Sequence, residues 1–188
     1  MSDLRAGSAR ACITPPLGVR MAGYAGRTDG CEAIHDDLYG KALVLDNGEC
    51  ALALLTLDVI GLDIMQVQAI RAGVEAKTGI PGLQVMVCCS HTHSGPALPS
   101  SDPRRDPFAT GTPEVPPWVD VMVETLVGVV RQAQDRVQPV QLRFAEGTLA
   151  DWSQNRRRVA QGGTLIDPDV RALVLTGERE QPLAVVVN

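Results

Sequence analysis

A chain of 188 residues that is 45% hydrophobic and carries a formal charge of −5 is long enough for one domain with a substantial core and short for two. The acidic balance argues against nucleic acid as a partner, because a phosphate-binding surface needs a basic excess. The opening Met1-Ser2-Asp3-Leu4-Arg5 lacks a signal peptide's apolar core, and no stretch approaches the roughly 20 apolar residues of a membrane span; the expectation is no membrane span and a cytoplasmic location, with secretion open if a leader has been removed.

Residues 4 to 14 read as a short strand ending at Thr14-Pro15-Pro16. Gly18, Gly23, Gly26 and Gly30 then punctuate a stretch without helical period, and an ordered loop of that length in a compact domain is more often functional than decorative. His35, Asp36 and Asp37 lie towards its end. Leu38–Leu45 and Cys50–Leu57 flank Asp46-Asn47-Gly48-Glu49, a hairpin signature in which Asn-Gly can supply the positive φ angles of the turn. Leu62, Met65, Ala69, Ala72 and Ala76 recur at spacings of three and four, predicting an amphipathic helix that ends near Thr78-Gly79, before Pro81.

Leu83–Cys89 reads as a buried strand, and Ser90-His91-Thr92-His93-Ser94-Gly95-Pro96 follows it. From Leu98 to Pro117 the chain is rich in Pro, Ser, Asp and Arg, an excursion that could serve as a lid. Trp118, Met122, Thr125, Val129 and Ala133 mark a second helix, closed by Pro139. Val140–Phe144 reads as a strand, and Val170–Leu175 with Pro182–Val187 as a second hairpin. The pattern predicts an α/β fold, a mixed β-sheet with flanking helices. The apolar end, Leu183 to Asn188, reads as a strand about to feed another loop, so the whole is expected to be an incomplete portion of a larger layered α/β catalytic domain, with residues 1–188 a single domain.

Two of the three histidines stand two residues apart at the end of an apolar run. On a strand, residues i and i+2 share a face, so both imidazoles can converge on one ion, at the strand end where open α/β sheets place ligands. The bland alternative is a turn cap and a satisfied core residue. A catalytic zinc site takes three protein ligands and a water; His91 and His93 supply two. Asp58 and His35 are further candidates, with Asp36 and Asp37 beside them. Asp58 follows Ala51–Leu57 much as His91 follows Val85–Cys89; equally, it could cap the helix starting near Leu62. Arg156, in a polar loop next to Trp152, could bind a carbonyl oxygen or a carboxylate, or simply be solvated. The five cysteines form no disulfide framework and suggest a reducing compartment; Cys88 and Cys89 read as small buried hydrophobes.

The heptapeptide Ser90–Pro96 resembles the Thr-His-Thr-His-Ser-Gly-Pro signature of the neutral/alkaline non-lysosomal ceramidases. Supporting stretches fall in the same order: Ala9–Pro15, Met21-Ala22-Gly23-Tyr24-Ala25, Ile34–Ala42 and Asn155-Arg156. The resemblance implies a zinc-dependent amidase that hydrolyses the N-acyl bond of ceramide or a similar small-molecule or lipid substrate, its metal held by two histidines, a glutamate and a tyrosine. It gives His91 the first metal position, His93 a neighbouring active-site role and Arg156 a substrate- or transition-state-binding role. The second metal histidine, the glutamate and the tyrosine are expected beyond Asn188, so zinc is expected to be weak or absent in this fragment alone and the fragment inactive. Arg157 stands where the family usually has Ser, and Ala97-Leu98-Pro99 where glycines often follow. A non-catalytic metal-binding or structural domain, or a hydrolase of another ester or amide, remains the alternative reading. The oligomeric state is unknown.

Overall fold

The structure, a computed structural model, describes residues 4–24, 26–27, 29–100, 115–150, 155 and 166–188. Two compact units divide the chain, residues 1–138 and 139–188. The first holds strands β1 (Arg5–Cys12), β2 (Tyr39–Asp46), β3 (Ala51–Leu57) and β4 (Val85–Cys89) and helices α1 (Ile64–Thr78) and α2 (Pro117–Asp135), with a short β5 (Gln138–Pro139) at the boundary. Sheet order is β4-β3-β2-β1-β5. β1, β2 and β3 pair antiparallel, whereas β3 and β4 run parallel through the α1 crossover. A mixed sheet with helices is therefore what the sequence pattern predicted.

Alternation explains the core. Ala9, Ala42, Val44, Ala53, Leu55, Leu57 and Val85 sit on one face of the sheet by register and are buried with Ile70 and Val74 of α1 and Leu126, Val129 and Val130 of α2. Small residues set the spacing. A Cβ on Gly7 of β1 would lie 2.1 Å from the Ala133 carbonyl oxygen, and one on Gly73 of α1 would lie 2.7 Å from Val127, so α2 rests directly on β1 and against α1.

The α1 face differs from its prediction. Ala69, Ala72 and Ala76 are exposed, and Met65 is 63% exposed; the buried stripe is Ile70 and Val74, because close approach at Gly73 turns that side of the helix to α2. Asp63 caps α1: its Oδ1 accepts from Met65 N (3.1 Å), and Gln66 Oε1 accepts from Asp63 N (2.8 Å), a reciprocal capping box. Asp58, the cap considered from sequence, does not serve. At the other end, Gln134 and Arg131 of α2 donate to the carbonyls of Thr78 and Lys77, partnering two of the oxygens that any helix end leaves without intrahelical donors.

The β2–β3 turn forms as expected but by other means. Only Gly48 takes a positive φ, 84°, while Asn47 Oδ1 accepts from Glu49 N and Cys50 N, an Asx arrangement that leaves four residues between the paired strands. β4 differs more. Gly82–Gln84 is a 3-10 turn and Leu83 in it is exposed; Met86 is 60% exposed because it points, beside Leu54, to the sheet face opposite buried Val85, and β4 pairs with β3 alone among the described strands.

The second unit is an antiparallel meander of β6 (Gln141–Thr148), β7 (Asp169–Thr176) and β8 (Pro182–Val187). The β7–β8 pair is the second hairpin anticipated from sequence. Arg171 joins Glu146 and Asp169 across the surface. Residues 101–114, 151–154 and 156–165 lie outside the described residues, and with them fall most of the Leu98–Pro117 excursion, Trp152 and Arg156.

Gly7→Ala is expected to destabilise the fold by about 1 to 3 kcal/mol, the usual range for overpacking a core, because the atoms its methyl would meet belong to the backbone of Ala133, Arg136 and Val137 and cannot yield. Gly128→Ala, in α2 with open space at its Cβ, is expected to stabilise by about 1 kcal/mol through helix propensity. Urea denaturation of both variants checks the contrast.

Candidate active site

The parallel pairing of β3 and β4 continues past both strands. Ser90 N donates to Leu57 O (2.9 Å) and His91 N to Val59 O (3.1 Å), so the segments after the two carboxyl ends stay side by side. Asp58 and His91 therefore lie on neighbouring strand exits, as their matching positions after apolar runs suggested. Within this frame His91 adopts φ 59°, a left-handed conformation that costs a non-glycine residue about 1 kcal/mol or more.

The two histidines thus do not converge through the pleat of a strand, which ends at Cys89. The left-handed turn at His91 does it instead. The ring centroids of His91 and His93 stand 5.2 Å apart at an interplanar angle of 70°. His91 is exposed and His93 half-buried. Nδ1 of His91 lies 2.8 Å from the Ile60 carbonyl oxygen. A carbonyl can only accept, so the neutral ring keeps its proton on Nδ1 and presents the Nε2 lone pair outward.

That arrangement bears on a metal. Two imidazoles bound to one tetrahedral ion at zinc–nitrogen distances of about 2.0–2.1 Å have ring centres roughly 5 Å apart, comparable to the separation here, and a backbone-anchored Nδ1–H is the usual partner of a ligating Nε2. The donor set fits half of a site. Among the described residues, no group of three or more His, Cys, Asp or Glu side chains is arranged to hold an ion. Asp58 turns its carboxylate to β2, where Oδ2 accepts from Tyr39 N (3.0 Å) and faces Lys41 Nζ at 3.9 Å. The His35 ring is solvent-exposed and paired with its neighbour Asp36 at 2.6 Å. Asp37 accepts from the Thr14 hydroxyl. Arg156 lies outside the described residues.

The glycine-punctuated loop has a definite job in the site. Met21 bridges Pro96, Ala22 N donates to Gly95 O, and Ala97 N donates to Arg20 O, laying residues 20–23 along the segment that follows the histidines. Gly23, at φ 101°, sits where a Cβ would come within 2.5 Å of the His93 ring. Beyond it, the Tyr24 ring meets the His93 ring edge-on with centroids 5.2 Å apart, and Arg27 reaches back to the His93 carbonyl. Sequence reasoning valued the loop for its length but assigned Gly23, Tyr24 and Arg27 no contact; the run of glycines was the available signal.

The cysteines behind the histidines are thiols among apolar neighbours. All five are free. Burial, with the adjacent Cys88 adding to it, pushes the Cys89 thiol up, against a smaller opposing hydrogen bond from the Leu62 backbone.

The family model of the neutral/alkaline non-lysosomal ceramidases, N-terminal part, matches residues 4–162. The chain belongs to that family. It is similar to the neutral ceramidase of Pseudomonas aeruginosa, 27% identical over 157 residues that make up 81% of this chain and 22% of that protein. A crystal structure of neutral ceramidase from Pseudomonas aeruginosa matches with a TM-score of 0.85 at 24% identity, covering 100% of this chain and 31% of that one. A ceramidase complexed with C2 matches at 0.84, also at 24% identity and over the same shares. At that identity the likeness speaks to the fold, and the chain spans less than a third of the length of these relatives. No helix among the described residues is long and apolar enough to cross a membrane.

Two outcomes follow from this geometry. Gly23→Ala is expected to cost about 1 to 3 kcal/mol, from the positive φ and the ring that an added methyl would strike, read as a lowered urea midpoint. Iodoacetamide at neutral pH is expected to label the exposed Cys12 and Cys50 before Cys89, by mass spectrometry of digests, since the thiolate is the reactive form. For Cys89 the sign is that of a raised acid: the stability it contributes is present below the ordinary thiol value of 9.0 and lost as pH rises through the higher folded value.

Proposed function

We propose that this chain carries the first metal-binding segment of a zinc-dependent amidase that cleaves an N-acyl bond in a ceramide-like lipid, with the remaining donors supplied from outside the described residues. The observation that carries the reading is His91: an imidazole fixed through Nδ1 on the Ile60 carbonyl, held in a left-handed turn and set beside a second imidazole. Backbone strain retained at a polar, exposed residue supports a functional reading of the position. Membership of the ceramidase family supports hydrolysis of an amide, and the relative crystallised as a complex with C2 supports a lipid-like substrate.

The roles follow from the chemistry of the side chains. His91 would hold zinc through Nε2, and His93, half-buried beside it, would be a second ligand or a group that holds and passes a proton at the reacting amide. When bound, zinc supplies an activated water at neutral pH and polarises the carbonyl. Arg156, proposed by resemblance, would donate to the oxyanion that develops on the carbonyl oxygen, an interaction whose removal typically lowers turnover 100-fold or more. Asp58 is proposed as an outer support, since its carboxylate is occupied by Tyr39 N and faces Lys41.

That no three donor side chains cluster among the described residues also favours a second reading, a domain that retains two histidines without catalysis. The test separates the two. Two imidazoles leave a divalent ion under-coordinated, so residues 1–188 alone are expected to hold zinc weakly in equilibrium dialysis and to release no fatty acid from an N-acyl sphingoid substrate. Joined to sequence supplying the missing donors, the protein is expected to retain zinc, hydrolyse the substrate, and lose both properties with a chelator or with His91→Ala. Stoichiometric tight zinc on residues 1–188, or hydrolysis indifferent to chelators and to His91→Ala, would overturn the proposal.

A further inference from the structure

Arg27 lies in the long loop, 66 residues from His93 in sequence, yet one guanidinium nitrogen ends on it. Nη1 donates to the His93 carbonyl oxygen at 2.8 Å and to the Ala22 carbonyl oxygen at 2.9 Å. The same guanidinium lies over the face of Tyr24, 4.8 Å from the ring centroid, and the Tyr24 ring in turn meets the His93 ring at 85°. His93 is therefore held at its backbone by a charge-assisted hydrogen bond and at its ring by an aromatic edge that the same cation backs. Its third side is closed by Gly23, where no side chain fits. From His93 the contact passes to the His91 ring, giving a continuous run of contacts from guanidinium to phenol ring to two imidazoles, the rings meeting edge-on.

We propose that Arg27 is a positioning residue for His93, fixing the place and tilt of that imidazole relative to His91 by clamping its carbonyl and by bracing Tyr24 against its ring. Arginine suits the task for reasons of shape. Its planar, delocalised cation can donate in its own plane to two carbonyls while its face covers an aromatic ring, whereas the compact ammonium of lysine has no face to stack. The Arg27 guanidinium is a charged donor on the His93 carbonyl, and Tyr24, 61% exposed, has that same cation over its face. The consequence for hydrolysis rests on the function proposed above; the positional claim does not.

The chain contains three histidines, so a carbon–proton NMR correlation of the imidazole Cε1 positions has three cross-peaks, assigned by single His→Asn substitutions and recorded on metal-free protein at fixed pH. In Arg27→Met, which keeps much of the length and loses the donors, the His93 peak is expected to move and broaden. The His91 peak is expected to follow more weakly, and that of His35, exposed and paired with Asp36, to stay in place. Arg27→Lys is expected to recover part of the shift through the carbonyl contact, and Tyr24→Phe to leave all three peaks where they were. Tyr24→Ala, at a largely exposed ring, provides a second variant if Arg27→Met does not fold; it is expected to displace the His93 peak most and to leave that of His35 in place. An unmoved His93 peak in a folded Arg27→Met or Tyr24→Ala protein overturns the proposal, as does equal displacement of all three peaks. A positive result with no zinc-dependent hydrolysis would leave the clamp standing and remove the functional reading.

Discussion

The site depends on a backbone ladder that does not stop where its strands do. β3 and β4 run parallel, and the bonds from Ser90 N to Leu57 O and from His91 N to Val59 O carry the pairing two residues further. The extension determines which atoms are free at the sheet's end. It seats His91 over the Ile60 carbonyl, which selects the ring tautomer, and it does so only if residue 91 accepts a left-handed φ. Strand pairing, tautomer and backbone strain are thus one constraint seen at three scales.

Packing beneath the sheet serves that constraint. The parallel pair exists because α1 crosses over from β3 to β4, and α1 is held by its capping box at Asp63 and by α2 at its far end. Gly7 and Gly73 let α2 press close to both the sheet and α1. The same Asp63 accepts from the Ser100 hydroxyl, while Gln66 donates to the Pro99 carbonyl, so the chain leaving the histidines is tied to the start of the helix that precedes them. One helix end therefore anchors both the route into the site and the route out.

Much of this was legible in sequence where the signal was local. The turn signature at Asp46–Glu49 located β2 and β3, two short apolar runs located the β7–β8 hairpin, and the paired positions of Asp58 and His91 after apolar runs placed both at adjacent strand exits. Periodicity misled where small residues carried the contact: counting Ala69, Ala72 and Ala76 as an apolar face missed that Gly73, with no side chain at all, draws the other side of α1 against α2. The apolar run Leu83–Cys89 could not distinguish a central strand from one with a single described neighbour, since hydropathy does not report hydrogen-bond partners. Arg27 left no pattern to read, because it acts on main-chain oxygens that every residue possesses.

Position 91 is under two demands that point to different amino acids. The backbone there is most comfortable with glycine, and after it with asparagine, while the function proposed for it asks for a ring nitrogen. A lineage released from the second demand would drift at this codon towards the residues the turn prefers, which makes position 91 a readable record of whether a family member still works as an enzyme.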